Sequence, residues 1–184
     1  MQEMNPKILS RAVIYQSEWI NLYVDKVAFP GGRIVQSHHF LEFGKDGVGS
    51  VVVNEQGNIL LIHSYRYISG TLEWEIPAGY REKSESILDA AKREVREETG
   101  YETTDGKVLY SLHPVIGISS AVSHLVQLKA GRNTGSFDPN EVREIKWVMP
   151  KEVWSMIDQK IIRDGFSLMG LLLYFKESAW GVRG

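Results

Sequence analysis

Three glutamates that share one turn of a predicted helix, Glu94, Glu97 and Glu98, are the side chains of this sequence best suited to chemistry. Residues three and four apart face the same side of an α-helix, so the three carboxylates would form one acidic patch. Like charges at this spacing repel, and the C-terminal end of a helix disfavours negative charge. The arrangement therefore costs stability unless cations bind to it. Carboxylate oxygens are ligands that Mg²⁺ and Mn²⁺ prefer, so the pattern predicts a divalent-cation site.

Such cations support one class of reaction in particular, the hydrolysis of a diphosphate. A diphosphate is anionic and repels hydroxide, whereas bound metal ions neutralise it and lower the pKa of a bound water molecule. The alternative interpretation is a solvated acidic helix face, whose glutamates pair with the neighbouring Lys92, Arg93 and Arg96.

The helix that carries these carboxylates is predicted over residues 86–99. Ser86 is a suitable N-cap residue, with Asp89 three residues later. Gly100 stands where a left-handed C-cap residue is expected. The buried stripe of this helix would consist of Leu88, Ala91 and Val95.

Strands are predicted on both sides of that helix, and two more helices follow. The predicted strands occupy residues 7–15, 18–29 and 33–43, two runs around the turn at 54–57, and residues 107–112, 123–128 and 145–149. The later helices are predicted from Pro150 to about residue 160 and over 166–177. This order predicts the α/β class, a sandwich with a mixed sheet that follows an N-terminal antiparallel β region.

Composition limits the range of partners and locations. The 184 residues include 21 Lys and Arg against 23 Asp and Glu, and cysteine is absent. The net charge of −2 gives no bulk attraction to nucleic acid or anionic lipid. The sequence shows neither a leader-like apolar segment nor the run of about 20 apolar residues that spans a bilayer. We therefore expect a soluble cytoplasmic protein that binds neither nucleic acid nor membranes.

The segment 79–101, GYREKSESILDAAKREVREETGY, resembles the Nudix box, G-x5-E-x7-R-E-U-x-E-E-x-G-U with U apolar. Every fixed position is filled, by Gly79, Glu85, Arg93, Glu94, Val95, Glu97, Glu98, Gly100 and Tyr101. The resemblance implies a Nudix-type α/β/α sandwich that hydrolyses a nucleoside diphosphate linked to another moiety. It implies that the metal ligands are the carbonyl of Ala78 and the carboxylates of Glu94, Glu97 and Glu98. It also gives Gly79, Glu85, Arg93 and Gly100 structural roles in the loop–helix–loop.

The residues before the box look like the ADP-ribose pyrophosphatase subfamily. In the run 64–79, SYRYISGTLEWEIPAG, an aromatic–arginine pair precedes E-x-P-A-G. The resemblance implies substrate-binding roles for Arg66, Tyr65 and Glu75. Residues 1–45 resemble the arm that forms a swapped homodimer in this subfamily, with Trp19 as a candidate for stacking across the dimer, and residues 46–184 form the hydrolase domain.

Two further segments bear on the substrate and on the attacking water. Pro114 is similar to a downstream proline associated with ADP-ribose specificity, but its loop lacks the compact S-P-G pattern of many members. The segment 136–144, SFDPNEVRE, falls where the subfamily carries a mobile acidic loop that supplies a catalytic glutamate. Glu141 is the first candidate and Glu144 the second, with Glu97 as a further catalytic candidate; the alternative is a solvated loop without a catalytic role.

The sequence thus predicts a Mg²⁺-dependent homodimeric hydrolase, for which Mn²⁺ is an alternative metal. Its substrate would be a small nucleoside diphosphate derivative, and the leading prediction is cleavage of ADP-ribose to AMP and ribose 5-phosphate. The first alternative is hydrolysis of another nucleoside diphosphate sugar, such as GDP-mannose. The second is a Nudix module that senses a nucleotide sugar without turnover, which the complete set of glutamates disfavours.

Overall fold

The computed structural model describes residues 5–135 and 137–180, and its contacts divide the chain into two units. The first unit ends at Asp46 but also contains His113–Val122, and the second contains Gly47–Leu112 and the residues from Ser123 onward. The sequence predicts a division after residue 45 and assigns His113–Val122 to the hydrolase domain.

Backbone hydrogen bonds explain why that later segment belongs to the first unit. The Leu41 N–H donates to the carbonyl of Ile118 at 2.7 Å, and the Ser120 N–H donates to the carbonyl of Leu41 at 3.1 Å. These bonds form a short parallel bridge between Leu41 and Ser119, a pairing between distant residues that local sequence patterns do not reveal.

The first unit is built on a three-stranded antiparallel sheet in the order β1-β2-β3. The strands are β1 (Lys7–Gln16), β2 (Ile20–Ala28) and β3 (Ile34–Phe43), which confirms the three predicted strands. Arg11 on β1 makes two hydrogen bonds of 2.8 Å to the buried carboxylate of Asp25 on β2. Every residue of β1 is nevertheless exposed, including five large apolar side chains: Ile8, Leu9, Val13, Ile14 and Tyr15.

The second unit is built on a mixed sheet in the order β10-β5-β4-β9-β8, with β6 beside β5 and β7 beside β4. Strands β4 and β9 are parallel, and the other registered pairs are antiparallel. Its strands are β4 (Asp46–Val53), β5 (Ile59–Arg66), β6 (Thr71–Glu75), β7 (Ala78–Arg81), β8 (Tyr101–Leu112), β9 (Ser123–Asn133) and β10 (Glu144–Val148), and its helices are α1 (Ile87–Thr99), α2 (Pro150–Asp158) and α3 (Gly165–Trp180).

Helices cover both faces of this sheet. Successive strand residues point to opposite sides, so each strand contributes side chains to two separate cores. Val52, Leu60 and Val126 pack in one core with the buried residues of α1. Their neighbours Val51, Leu61 and Leu125 pack in a second core with residues of α2 and α3. The second unit is therefore an α/β/α sandwich, as predicted.

Several strand boundaries differ from the prediction. Strands β6 and β7, which have only 5 and 4 residues and carry charged side chains, were not predicted. Strand β8 begins at Tyr101 rather than at residue 107, and its first half is polar and interrupted by register shifts against β9. Strand β9 continues to Asn133, beyond the predicted end at residue 128. Within the described ranges, every helix is too short or too polar to cross a lipid bilayer.

Candidate active site

Helix α1 is fixed at both ends by the residues that the sequence predicts. The Ser86 hydroxyl accepts a hydrogen bond from the Asp89 N–H at 3.1 Å, which caps the N-terminus. Gly100 adopts the left-handed conformation at φ 71° and its N–H donates to the carbonyl of Arg96 at 2.9 Å. Ala91 and Val95 are fully buried against the sheet. These contacts place the last turn of α1, with its glutamates, beside β7.

Glu94 lies directly against the backbone of β7. The Tyr80 N–H donates to Glu94 Oε1 at 3.0 Å. A Cβ atom on Gly79 would stand 2.2 to 2.4 Å from the three carboxylate atoms of Glu94, so a larger residue there would displace the glutamate. The glycine that opens the box is therefore required by the close approach of this carboxylate.

Glu98 is a buried carboxylate, with only 8% of its surface exposed. It accepts a hydrogen bond of 2.8 Å from the Ala78 N–H. The pKa of Glu98 is raised to about 8, chiefly by burial and to a smaller extent by the negative charges of Glu94 and Glu141. The hydrogen bond from Ala78 and the positive charge of Arg66 oppose this rise. A cation at this position would supply the positive charge that the buried group lacks.

Arg93 connects the carboxylates of the box to one another. It donates to both oxygens of Glu85, at 2.8 and 3.0 Å, and to the carbonyl of Tyr80 at 2.8 Å. Its Nη1 also donates to Glu94 at 2.8 Å and to Glu97 at 3.0 Å. These acids, Glu85 foremost, raise the pKa of Arg93. The pair of Arg93 and Glu85 thus braces the turn before α1 and holds two of the predicted metal ligands.

The residues of the box fit a divalent cation by their chemistry. In the part of the chain that the structure describes, no three His, Cys, Asp or Glu side chains already converge as a metal cage. The reason is visible in the contacts: Glu94 and Glu97 are bound to Arg93, whereas Glu98 is bound to Ala78. The donors are nevertheless hard oxygens, and the buried Glu98 carboxylate favours a nearby positive charge.

The structure brings the predicted substrate residues Arg66 and Glu75 together. The Arg66 Nε donates to both oxygens of Glu75 at 3.0 Å, and its Nη2 makes a further bond to the same carboxylate. Glu75 is buried while the Arg66 side chain is half exposed, and hydrogen bonding to Glu75 raises the pKa of Arg66. Both residues, with Ala78, line a cavity of about 660 Å³.

The two predicted aromatic residues each have a basic neighbour. Tyr65 neighbours Arg66 on β5, and therefore points to the opposite face of the sheet. Tyr65 is 49% exposed, and the guanidinium of Arg143 lies 5.4 Å from the centre of its ring. Trp19 belongs to the first unit, where the Lys45 ammonium lies 5.4 Å from its ring. Strand alternation thus argues against stacking of Tyr65 on a ligand held by Arg66.

The two candidate glutamates in and after the loop before β10 have different surroundings. Its first predicted residue, Ser136, lies outside the described residues. Glu141 lines a second cavity, of about 810 Å³, together with Glu97. Glu144 is instead the first residue of β10, where its carboxylate lies 3.9 Å from His63 Nδ1. The structure therefore brings Glu141, rather than Glu144, to the acidic end of α1.

Val142 and Arg143 anchor the C-terminal end of this loop. Val142 is fully buried, and the Arg143 N–H donates to the carbonyl of His63 at 2.9 Å. On the other side of Glu141, its own N–H donates to the carbonyl of Asp138 at 3.2 Å. These contacts restrict the backbone of Glu141 from both sides.

Several residues of the Arg66 cavity were not predicted from the sequence. They are Ser69, Thr71, Glu73, Arg163, Asp164 and Phe166. Glu73 could have been predicted from its spacing to Glu75, because residues two apart on a strand share a face. Arg163 lies 90 residues from its partner Glu73, so no local pattern connects them.

A family model described as "NUDIX domain" matches residues 45–166, the greater part of the chain. The chain belongs to the Nudix family. It is 30% identical to the CMP-5'-(N-acetyl-N-hydroxy-3-aminopropyl)phosphonate hydrolase of Streptomyces rubellomurinus over 74% of this chain and 66% of the relative. It is 24% identical to the ADP-ribose pyrophosphatase of Bacillus subtilis over 89% of each chain.

A solved structure titled "Crystal structure of ADP compounds hydrolase" has the same fold. It superposes with a TM-score of 0.86 over 100% of both chains, at 17% sequence identity. The chain is therefore a Nudix hydrolase with ADP-ribose pyrophosphatases among its relatives. Nudix hydrolases generally use divalent metal ions, in agreement with the donor set of α1.

Proposed function

We propose that this Nudix hydrolase cleaves the diphosphate link of ADP-ribose, with the help of a bound metal ion, to AMP and ribose 5-phosphate. The observation that carries the proposal is the shared position of Arg66 and Ala78, which line one cavity while the Ala78 N–H contacts Glu98. An anionic group held by Arg66 would lie next to the acidic end of α1. The likeness to ADP-ribose pyrophosphatases supports the choice of substrate.

Glu94, Glu97 and Glu98, with the carbonyl of Ala78, are the groups that would hold Mg²⁺ or Mn²⁺. Such an ion, when bound, neutralises a diphosphate and lowers the pKa of a water molecule. Arg93 orients the carboxylates of Glu94 and Glu97 through its Nη1. Hydrogen bonds from a residue that does not itself bind the metal fix the orientation of the metal-binding side chains.

Arg66 would orient the diphosphate. Its contact with the buried carboxylate of Glu75 fixes the guanidinium plane, and the remaining N–H groups are free to donate to phosphate oxygens. A positioned diphosphate reaches the reacting geometry without a further loss of rotational freedom.

Glu141 would accept the proton of the attacking water. It lines the cavity that contains Glu97, and its negative charge acts on the buried Glu98. Glu144 is a weaker candidate because its carboxylate is directed towards His63. Glu97, which is bound to Arg93, fits a ligand role better than that of a base.

A panel of diphosphate compounds tests the substrate. ADP-ribose, GDP-mannose, UDP-glucose, FAD and a dinucleoside polyphosphate would be compared by kcat/KM, with released phosphomonoesters measured through a coupled phosphatase. We expect ADP-ribose to exceed each of the others by at least tenfold. A higher kcat/KM for another compound would reassign the substrate. The likeness to a hydrolase named for a CMP conjugate makes a different nucleotide conjugate the second candidate.

We also propose that residues 1–45 act as a dimerisation arm in a cytoplasmic enzyme. The support is the apolar surface of β1, which is exposed along its whole length. Apolar patches of this kind mark sites of protein association. Sedimentation at micromolar concentration should show a dimer, and a monomer would contradict this role of the arm. Cell fractionation should recover the protein with cytoplasmic markers.

A further inference from the structure

The segment that carries Glu141 meets strand β5 just before β10 begins. The Arg143 N–H donates to the carbonyl of His63 at 2.9 Å. The Arg143 guanidinium lies 5.4 Å from the centre of the Tyr65 ring, within the distance of about 6 Å at which a cation is attracted to an aromatic face. The backbone and the side chain of Arg143 thus both contact β5, two residues after the candidate base.

Strand β5 has a well-packed surface at this point. His63 and Tyr65 are two residues apart on β5 and therefore share a face. The ring of His63 stacks on that of Trp74 in β6, with the ring centres 4.4 Å apart and 4° between the planes. The two stacked residues are also direct partners in the strand register. Arg143 is therefore attached to a part of β5 that cross-strand packing holds in place.

The hydrogen bonds around Glu141 are local by comparison. The N–H groups of Glu141 and Val142 both donate to the carbonyl of Asp138, at 3.2 and 3.1 Å. Bonds within one segment fix the shape of its turn but not the direction of that turn relative to the sheet. The buried side chain of Val142 and the contacts of Arg143 provide this attachment. Of these two side chains, that of Arg143 can be removed without opening a cavity in the core.

The direction of the Glu141 carboxylate matters for catalysis. A general base must lie within hydrogen-bond reach of the proton that it accepts, and a misplacement of about 1 Å can cost about 100-fold in rate. Glu141 is exposed and lines a cavity of about 810 Å³ together with Glu97. A cavity of this size leaves room for the carboxylate to turn away from the acidic end of α1.

We propose that Arg143 and Tyr65 are positioning residues for Glu141. The attraction between the guanidinium and the ring holds the end of the segment on β5, and so keeps the Glu141 carboxylate directed at the acidic end of α1. Neither side chain would touch the substrate. The inference rests on the proposed function, in which Glu141 accepts the proton of the attacking water.

Four variants, assayed with ADP-ribose in MgCl₂, test this pair. Arg143→Ala and Tyr65→Leu should each lower kcat about threefold and leave KM within about twofold, because an exposed contact of this kind corresponds to a factor of about two to five. The double variant should lose no more than either single variant, since both changes remove the same contact. Tyr65→Phe keeps the ring face and should retain the wild-type kcat.

Two kinetic results would refute the pair. Additive losses of kcat in the double variant would show that Arg143 and Tyr65 act separately. A higher KM with an unchanged kcat in Tyr65→Leu would show that the ring binds substrate instead.

A variant without the base tests whether Arg143 acts through Glu141. In the Glu141→Gln protein, the further change Arg143→Ala should leave the remaining kcat unchanged. Lys146→Ala is the matched control, because it removes a nearby positive charge whose partner is Glu152, at 2.7 Å on the surface, and it should keep the wild-type kcat. A threefold loss that persists in Glu141→Gln, or an equal loss in Lys146→Ala, would overturn the positioning role.

Amide hydrogen exchange of residues 137–143 provides a measurement that does not need turnover. Exchange should be about threefold faster in Arg143→Ala and Tyr65→Leu than in wild type, and unchanged in Lys146→Ala. Faster exchange without Mg²⁺-dependent cleavage of ADP-ribose would overturn the enzymatic proposal and retain the contact that holds the segment. Cleavage with unchanged exchange and unchanged kcat in these variants would overturn the positioning role and retain the enzymatic proposal.

Discussion

Replacing Glu98 by glutamine should stabilise the metal-free protein at alkaline pH, although it removes a proposed metal ligand. Glu98 is buried, and the charges of Glu94 and Glu141 act on it unfavourably. Glutamine has nearly the same shape and keeps an oxygen that can accept the hydrogen bond of the Ala78 N–H. The substitution therefore removes the charge with little change in packing.

The sign and size of the effect follow from the pKa of Glu98. The folded protein holds the Glu98 proton more tightly than the unfolded chain does, because the pKa rises from 4.5 to about 8 on folding. The contribution of this group to stability is therefore fully present below pH 4.5 and is lost progressively as the pH rises to about 8. The rise in pKa from 4.5 to about 8 corresponds to about 5 kcal/mol in the free energy of unfolding.

Urea unfolding followed by circular dichroism measures this difference directly. Wild type, Glu98→Gln and the surface control Glu152→Gln would be compared in EDTA, at one protein concentration, between pH 5 and pH 9. The free energy of unfolding of Glu98→Gln should exceed that of wild type by little at pH 5, and by about 5 kcal/mol above pH 8. The control should follow the wild-type curve.

Addition of Mg²⁺ should reduce the difference in stability between Glu98→Gln and wild type. A ligand that binds only the folded state stabilises it by mass action, and the wild type should gain more than Glu98→Gln. A wild-type curve parallel to that of Glu98→Gln in EDTA would refute the assignment of a strained, buried carboxylate to Glu98. An equal gain in Mg²⁺ would remove Glu98 from the metal site.

Four other substitutions give three separate tests of the site. Glu141→Gln should lower kcat at least 100-fold, whereas Glu144→Gln should change kcat less than threefold. Stopped assays of ADP-ribose cleavage would measure both variants, and equal losses of kcat would refute the assignment of Glu141 as the base. Arg66→Ala should raise KM more than it lowers kcat, because it removes binding energy that the substrate and the transition state share. An unchanged KM in steady-state kinetics would show that Arg66 has only a structural role. Gly79→Ala should abolish Mg²⁺-dependent activity because its methyl group would displace Glu94, and activity within twofold of wild type would show that this contact is adaptable.

The sequence was sufficient to predict the parts of the site that depend on local patterns. The ends of helix α1 depend on residues close together in sequence: Ser86 caps the N–H of Asp89, and Gly100 donates to the carbonyl of Arg96. The same is true of the acidic face, because helical spacing alone places Glu94 and Glu98 on one side.

The remaining parts depend on contacts between distant residues. The cavity joins Glu73 to Arg163, 90 residues later, and each appears in the sequence as an ordinary charged residue. Strands β6 and β7 were missed because they are only 5 and 4 residues long, and because β6 buries its glutamates rather than its leucine. Tyr65 was predicted as a substrate-binding residue from the aromatic–arginine pair, whereas alternation along β5 places its side chain on the face opposite that of Arg66.

Metal-dependent cleavage is the central claim, and chelation with add-back tests it most directly. ADP-ribose would be incubated with protein stripped by EDTA, then with the same protein after addition of MgCl₂, and the products separated by ion-exchange chromatography. We expect AMP and ribose 5-phosphate to form only after Mg²⁺ is added, and Glu98→Gln to form neither at a comparable rate. Cleavage by the stripped protein, or no cleavage in the presence of Mg²⁺, would contradict the account.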